Sequence, residues 1–294
     1  MTLPRSVEVE SLVLSLASGT LHVLSTAPAR GSLASRVPVL CLPGLSANAR
    51  SFDVLAMRLA EGGQRVVAFD LRGRGGSPAT APGTFGWERH ALDVLEAARL
   101  LAFPSFVLVG HSMGAFVAMQ AAALEASRIQ RLVLIDGIGR PEAGVIPPIL
   151  AAVERLGRVY ASAQEYCEGI RRHGAVVPWD QLWEQHYLAE LEEVPGGVRP
   201  RTSKAAVMED ALYGATHDAR EFWPRLRMPT LLVRASQHLL PGTGFVVGSA
   251  LRDAFLAAVP SAELIEVEAN HYGVLAHAAA LEAIANFLAH ATAA

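Results

Sequence analysis

Hydrophobic and polar positions along this chain follow two periods. Val7 to Leu16 alternates acidic or polar with apolar residues, Ser18-Gly19 makes a turn, and Thr20 to Leu24 continues the alternation, a pattern that predicts a β-hairpin. Residues 26–36, rich in Ala, Pro, Arg, Gly and Ser, read as a loop. Short apolar runs then recur at Val37 to Leu42, Arg65 to Phe69, Phe106 to Val109, Arg131 to Ile135, Thr230 to Arg234 and Glu263 to Val267. Between them lie helical patterns around Phe52 to Ala60, Trp87 to Leu101, Ala115 to Leu124, Val246 to Ala258 and Ala278 to His290. Short apolar strands alternating with helices predict an α/β fold, a mostly parallel sheet with helices on both faces.

From Gly139 to about Pro224 the pattern changes. Helical segments interrupted by prolines predominate, and they collect Tyr160, Tyr166, Trp179, Trp183, Tyr187, Tyr213, Phe222 and Trp223. The predicted organisation is a core in two parts, 1–138 and 225–294, with a helical insertion over 139–224 placed as a cap over an apolar pocket. The same aromatics serve equally well as the insertion's own small core.

One stretch carries chemistry. At Gly110-His111-Ser112-Met113-Gly114 an apolar strand stops at Gly-x-Ser-x-Gly and passes directly into a helix, which describes a nucleophile elbow that holds the serine oxygen clear of the sheet. A serine hydroxyl needs a base, and histidine has the fitting pKa. The chain has ten histidines, so position must choose among them. A base has to sit on a loop at the sheet edge where the elbow lies. His271, between the last strand and the last helix, meets that condition; His238, His277 and His290 are the weaker candidates. His111 is next to the serine, but on a tight turn its side chain is expected to point elsewhere.

The base needs a carboxylate to orient it. Between Arg227 and Leu251 there is no Asp or Glu, so the loop after the Thr230 strand cannot supply one, and His238 stands there instead. Asp136 closes the strand that follows the elbow helix and is the expected acid, with Asp218 and Glu221 as competitors. Two amides should face the developing oxyanion: that of Met113, at the start of the elbow helix, and that of Leu45, just past Pro43-Gly44. The glycine-rich loop Leu71 to Pro78 lacks both phosphate-binding spacings. It reads as a structural turn with Asp70 and Arg72 as local charge partners.

Composition narrows the classes further. With 294 residues, 51% apolar and 18% charged, the chain is globular and can bury a large core. A net charge of −3 without a basic block gives nucleic acid no footprint. No apolar run reaches the roughly 18 residues needed to span a bilayer, so no membrane partner is expected. The start lacks the long apolar core of a signal peptide. Two cysteines far apart in sequence fit a reduced, cytoplasmic setting. The proposed chemistry needs no metal or organic cofactor, and a homodimer stays open.

With these pieces in place the chain resembles the α/β-hydrolase superfamily over almost its whole length, and within it a serine esterase or lactonase-like branch with a helical cap. The matching stretches are Leu42-Pro43-Gly44-Leu45, Asp70 to Ser77, Gly110 to Gly114, and Asn270-His271 followed by a helix. Two departures stand out. The oxyanion turn, commonly His-Gly, reads Pro43-Gly44, and the aspartate usual after the strand at Thr230 to Arg234 falls at His238, in keeping with an acid at Asp136. The resemblance implies hydrolysis of a small-molecule carboxylic ester or lactone through an acyl-enzyme on Ser112, His271 and Asp136. His111, Trp179, Trp183, Tyr187, His238 and Tyr272 are the expected pocket residues. It leaves open carbon–carbon, amide or thioester hydrolysis, cofactor-free haloperoxidase-like activity and, in another class, a ligand receptor with little turnover. A serine at the elbow disfavours haloalkane dehalogenase or epoxide hydrolase chemistry, because those branches use aspartate there.

Overall fold

The computed structural model describes residues 7–28 and 36–289. The chain opens with strands β1 (Val7–Leu16) and β2 (Gly19–Pro28), followed by β3 (Val39–Leu42), helix α1 (Asp53–Glu61) and β4 (Val66–Phe69). Helix α2 (Trp87–Leu100), β5 (Phe106–His111), α3 (Met113–Leu124) and β6 (Ile129–Ile135) complete its first half. Then come α4 (Ile146–Val153), α5 (Ala163–His173), α6 (Gln181–Ala189), the strand pair β7 (Leu191–Val194) and β8 (Gly197–Pro200), and α7 (Lys204–Thr216). The chain returns through β9 (Thr230–Ala235), α8 (Ser249–Ala258), β10 (Ala262–Val267) and α9 (Ala278–Ala289).

Eight strands form one sheet in the order β1-β2-β4-β3-β5-β6-β9-β10. The hairpin β1–β2 is antiparallel and joins β4 antiparallel, while β4, β3, β5, β6, β9 and β10 run parallel to one another. Alternate side chains of β5 show why the sheet needs helices on both faces. Phe106 and Leu108 pack with residues of α2 and α3 such as Val94, Leu95 and Ala118. Val107 and Val109 pack on the other face with Leu55 and Leu59 of α1 and Ile284 and Leu288 of α9. Each such buried aliphatic or aromatic side chain contributes roughly 1.5–3 kcal/mol of transfer free energy.

Several element limits differ from the sequence pattern. Strand β2 runs to Pro28, four residues past the alternation at Leu24, because its pairing with β1 continues to Val7↔Pro28; the rest of the loop expected over 26–36 falls mostly outside the described residues. Helix α8 starts at Ser249, since Gly248 precedes it in extended conformation and Val246 and Val247 are buried in a glycine-containing turn. Residues 139–224 are not wholly helical. The strands β7 and β8 pair antiparallel around Val194-Pro195-Gly196-Gly197, where Pro and Gly act as a hairpin turn rather than as a helix break.

The glycine-rich loop is a structural turn, but its charges pair elsewhere than with each other. The Asp70 carboxylate accepts the amides of Ala49 and Gly76 at 2.7 Å each and faces His22 Nδ1 at 2.7 Å. A Cβ on Gly75 (φ +52°) would lie 2.2 Å from that carboxylate. Arg72 instead donates to Asp93 of α2, with Nη2 at 2.7 Å from Oδ1. Among the described residues no helix is long and apolar enough to cross a membrane.

Candidate active site

Ser112 sits between β5 and α3 at φ 55°, ψ −122°. A non-glycine residue at positive φ is strained, and surrounding contacts must hold it there. They are close. A Cβ on Gly110 would lie 2.3 Å from the Gly114 carbonyl oxygen, and one on Gly114 would lie 2.0 Å from the Leu42 carbonyl oxygen. Both glycines of the elbow are therefore required by backbone passing against backbone. The Ser112 amide donates to the Ile135 carbonyl at 3.0 Å, extending the parallel register His111↔Ile135 by one step.

That register puts the residue after Ile135 beside the serine. Asp136 is held at φ 46°, with its own amide donating to the Val233 carbonyl at 2.8 Å and its Oδ1 accepting the Ala235 amide at 3.2 Å. The remaining oxygen, Oδ2, lies 2.8 Å from His271 Nδ1, and both side chains are buried. The His271 loop is shaped by Asn270. Its Nδ2 donates to the Ala175 carbonyl at 2.7 Å, and its Oδ1 accepts the Gly273 amide at 2.9 Å. The structure thus brings Asp136 and His271 into contact. Ser112 makes no side-chain hydrogen bond among the described residues.

The turn after β3 closes on the elbow from the other side, since a Cβ on Gly44 would lie 3.3 Å from Ser112 Cβ and from His111 Nδ1. Leu45 follows in that turn, and the Met113 amide starts α3. The Leu45 carbonyl is gripped by the buried Arg74, whose Nη2 also meets Asp210 of α7 at 2.6 Å.

The competing residues are placed elsewhere. Asp218 caps the turn at 219–225 and pairs with Arg220 at 2.6 Å, and Glu221 is exposed. His238 is exposed and packs on Phe245 with ring centroids 4.5 Å apart. The Nδ1 of His277 is buried without a partner among the described residues, and His290 lies outside them. His111 does not point away: its Nε2 donates to the His271 carbonyl at 2.9 Å, and the two imidazoles lie 4.5 Å apart at 33°. Burial, followed by the neighbouring His271, pushes the His111 pKa well below its ordinary value, so it stays neutral.

Beside this cluster lies a cavity of about 510 Å³, which meets the elbow at His111, the turn after β3 at Ser46 and the His271 loop at Tyr272. Trp183 and Tyr187 of α6 line it. Trp179 is a supporting layer, stacked on Tyr187 at 5.8 Å and 11°, and His238 takes no part in the wall. The insertion's aromatics divide between two tasks. Tyr160, Tyr166, Trp183 and Tyr187 face the cavity, whereas Tyr213 packs on Trp87 at 5.4 Å and Trp223 on Phe255 at 5.3 Å.

The wall is less apolar than the aromatic content of the insertion implied, because it includes Arg155, Arg158, Arg172 and His186. Burial, and then the nearby Arg155, pushes the pKa of His186 down to about 4. Arg155 and Arg158 follow a short helix and Arg172 lies in the last turn of α5; neither position carries a sequence signal that assigns an arginine to a cavity, so the local pattern does not reveal them.

Known proteins resemble this chain in sequence and in fold. A sequence profile for the alpha/beta hydrolase fold matches residues 37–188. A 2-(acetamidomethylene)succinate hydrolase of Mesorhizobium japonicum is 27% identical over 254 residues, 85% of this chain and 87% of that protein. A serine hydrolase-like protein of Dictyostelium discoideum is 36% identical over 226 residues, 73% of this chain and 58% of that protein. The crystal structure of an E-2-(acetamidomethylene)succinate hydrolase superposes with a TM-score of 0.83 at 23% identity, covering 96% of this chain and 100% of that one, a likeness of fold. The chain spans 49%, 58% and 36% of the lengths of three curated relatives that it matches.

Proposed function

The chain belongs to the α/β-hydrolase fold family, and from that premise we propose that it is a serine hydrolase that cleaves carboxylic esters or lactones through an acyl-enzyme. The observation that carries the reading is the strained elbow at Ser112 set beside Asp136, one step past the pair His111↔Ile135, with the Asp136 carboxylate meeting His271 Nδ1 at 2.8 Å.

In this mechanism Ser112 Oγ attacks the carbonyl carbon while His271 Nε2 takes its proton. Asp136 accepts the hydrogen bond from Nδ1, which fixes the tautomer and stabilises the imidazolium. The amides of Met113 and Leu45 receive the oxyanion. Collapse of the tetrahedral intermediate expels the alcohol, which takes the proton back from His271. Water, activated by the same histidine, then releases the acid and frees Ser112. His111, neutral and bonded to the His271 carbonyl, supports the loop without competing for the proton.

Amide hydrolysis is the second reading, favoured by a relative named for an acetamido compound. The same groups would serve, with protonation of the leaving nitrogen by His271 weighing more heavily. The test is a hydrolysis screen over linear esters, aromatic esters, lactones of several ring sizes and simple amides, run beside labelling by a fluorophosphonate. Labelling at Ser112 with multiple turnover on an ester or lactone is expected. Labelling with a single stoichiometric burst would replace the enzyme by a slow receptor, and turnover confined to amides would move the assignment to the second reading.

A further inference from the structure

Three arginines line the cavity, Arg155, Arg158 and Arg172, against two glutamates, Glu154 and Glu165. Both carboxylates are already engaged. Glu154 accepts Lys204 Nζ at 2.8 Å and lies 3.9 Å from Arg158, and Glu165 accepts the Ala161 amide at 2.8 Å. Arg158 and Arg172 are exposed at the rim, and Arg172 has no ion pair among the described residues.

Arg155 differs in being largely withdrawn from solvent, with a side chain only 11% exposed. Its Nε donates to the Tyr166 hydroxyl at 2.9 Å and its Nη1 to the Ala152 carbonyl at 2.8 Å. These two bonds fix the plane of the guanidinium. The contacts at its far edge are looser: Nη1 to Ser46 Oγ at 3.3 Å, and Nη2 to the buried Glu190 at 3.5 Å. Glu190 in turn takes the Tyr166 hydroxyl on Oε1 and leaves Oε2 without a partner among the described residues. The guanidinium is thus held in place by its inner donors, and its outer donors meet a neutral hydroxyl next to Leu45 and a long ion pair.

Desolvating a cation gains nothing for a pocket meant only for apolar groups, since well-packed apolar side chains fill such a space at no electrostatic cost. A carboxylate is a far better acceptor than a serine hydroxyl for the two outer donors, which match it as a fork. We propose that the substrate bears a carboxylate in addition to the bond that is cleaved, that Arg155 receives this carboxylate, and that Arg158 and Arg172 draw the anion toward the cavity. The inference rests on Ser112 being the nucleophile of the same site. It replaces the expectation of an apolar pocket under the cap.

The test uses two esters that differ only in a terminal carboxylate in place of a methyl group, 4-nitrophenyl hemiglutarate and 4-nitrophenyl pentanoate. For the intact protein kcat/KM is expected to favour the anionic ester by about tenfold or more, with an advantage that shrinks as sodium chloride is raised. Arg155→Met should bring the ratio to about one, and Arg172→Gln, an exposed change that spares the fold, should lower it by a smaller factor. Glutarate binding to Ser112→Ala by calorimetry reads the same subsite without turnover, and should weaken about tenfold in Ser112→Ala/Arg155→Met. Ser112-dependent hydrolysis of both esters at equal rates, with no glutarate binding, would overturn the carboxylate subsite and leave the hydrolase reading intact. Glutarate binding that depends on Arg155, with neither ester cleaved, would keep the subsite and remove the esterase reading.

Discussion

Arg74 donates twice to a single oxygen, the carbonyl of Leu45, from Nε at 3.1 Å and from Nη2 at 2.8 Å. The guanidinium is fully buried, so its charge needs a counter-ion, and Asp210 of α7 supplies it at 2.6 Å while itself facing His90 Nε2 of α2 at 2.9 Å. One buried ion pair therefore ties a helix of the insertion to the turn that carries a proposed oxyanion amide. Arg74→Met is expected to lower kcat by about tenfold to a hundredfold, with a smaller change in KM, because a misplaced donor affects the transition state most. It should also lower the melting temperature, since the buried Asp210 loses its guanidinium counter-ion. Adding Asp210→Leu should recover part of the melting temperature and none of the kcat. Steady-state kinetics beside thermal melts separate these effects, and full recovery of kcat in the double variant would remove Arg74 from any positioning role.

Ser112→Ala should reduce turnover by about a thousandfold or more and abolish fluorophosphonate labelling. The fold should be kept, because the positive φ of Ser112 is imposed by Gly110 and Gly114 rather than by its hydroxyl. Labelling of the intact protein at a residue other than Ser112, read by peptide mass spectrometry, would contradict the elbow as the reactive site.

Asp136→Asn should cost orders of magnitude in kcat, up to about ten-thousandfold, because the amide presents a donor or a weak acceptor to His271 Nδ1 and favours the wrong tautomer. The side-chain oxygen that this substitution retains can still accept the Ala235 amide, so thermal stability should change little. A loss of less than about tenfold in kcat would move the orienting acid to another residue.

Folding stability should fall on acidification as His186 titrates. Its pKa is about 4 in the folded protein, depressed from an ordinary 6.5 by burial and then by Arg155. A group depressed in this way binds its proton more readily in the unfolded chain. Stability is therefore complete above about pH 6.5 and declines as the pH drops toward 4, by up to about 3 kcal/mol from this residue. Neutral, buried His111 acts in the same direction. Denaturant melts between pH 7.5 and 4.5 should show a shallower decline for His186→Gln than for the natural sequence, and identical slopes would assign the acid sensitivity to other groups.

Much of this protein is written in local sequence. Period-two alternation marks the hairpin, apolar runs between helical patterns mark the parallel strands, and Gly110 to Gly114 marks the turn, because each of these patterns reflects a constraint that acts within a few residues. The pairing of Asp136 with His271 is also within reach, since strand order and the acid-free stretch from Arg227 to Leu251 restrict which loops can meet at one sheet edge.

Other features depend on contacts between distant segments that no local period encodes. A tight turn alone suggests that His111 points away, yet packing turns it onto the His271 carbonyl 160 residues later. Trp179 and His238 have the sequence positions of pocket residues, and tertiary packing places the first behind Tyr187 and the second on Phe245. The strands β7 and β8 are hidden in the pattern because a Pro-Gly-Gly turn looks alike whether it ends a helix or joins two strands. The cavity's charge is the feature furthest from local sequence. Arg155 is one cation among many along the chain, and it becomes a recognition group only because α4, α5 and the Leu45 turn converge around it. Local sequence fixes backbone periods and special φ values, whereas the desolvation and partners that give a charged side chain its chemistry exist only once the chain has closed.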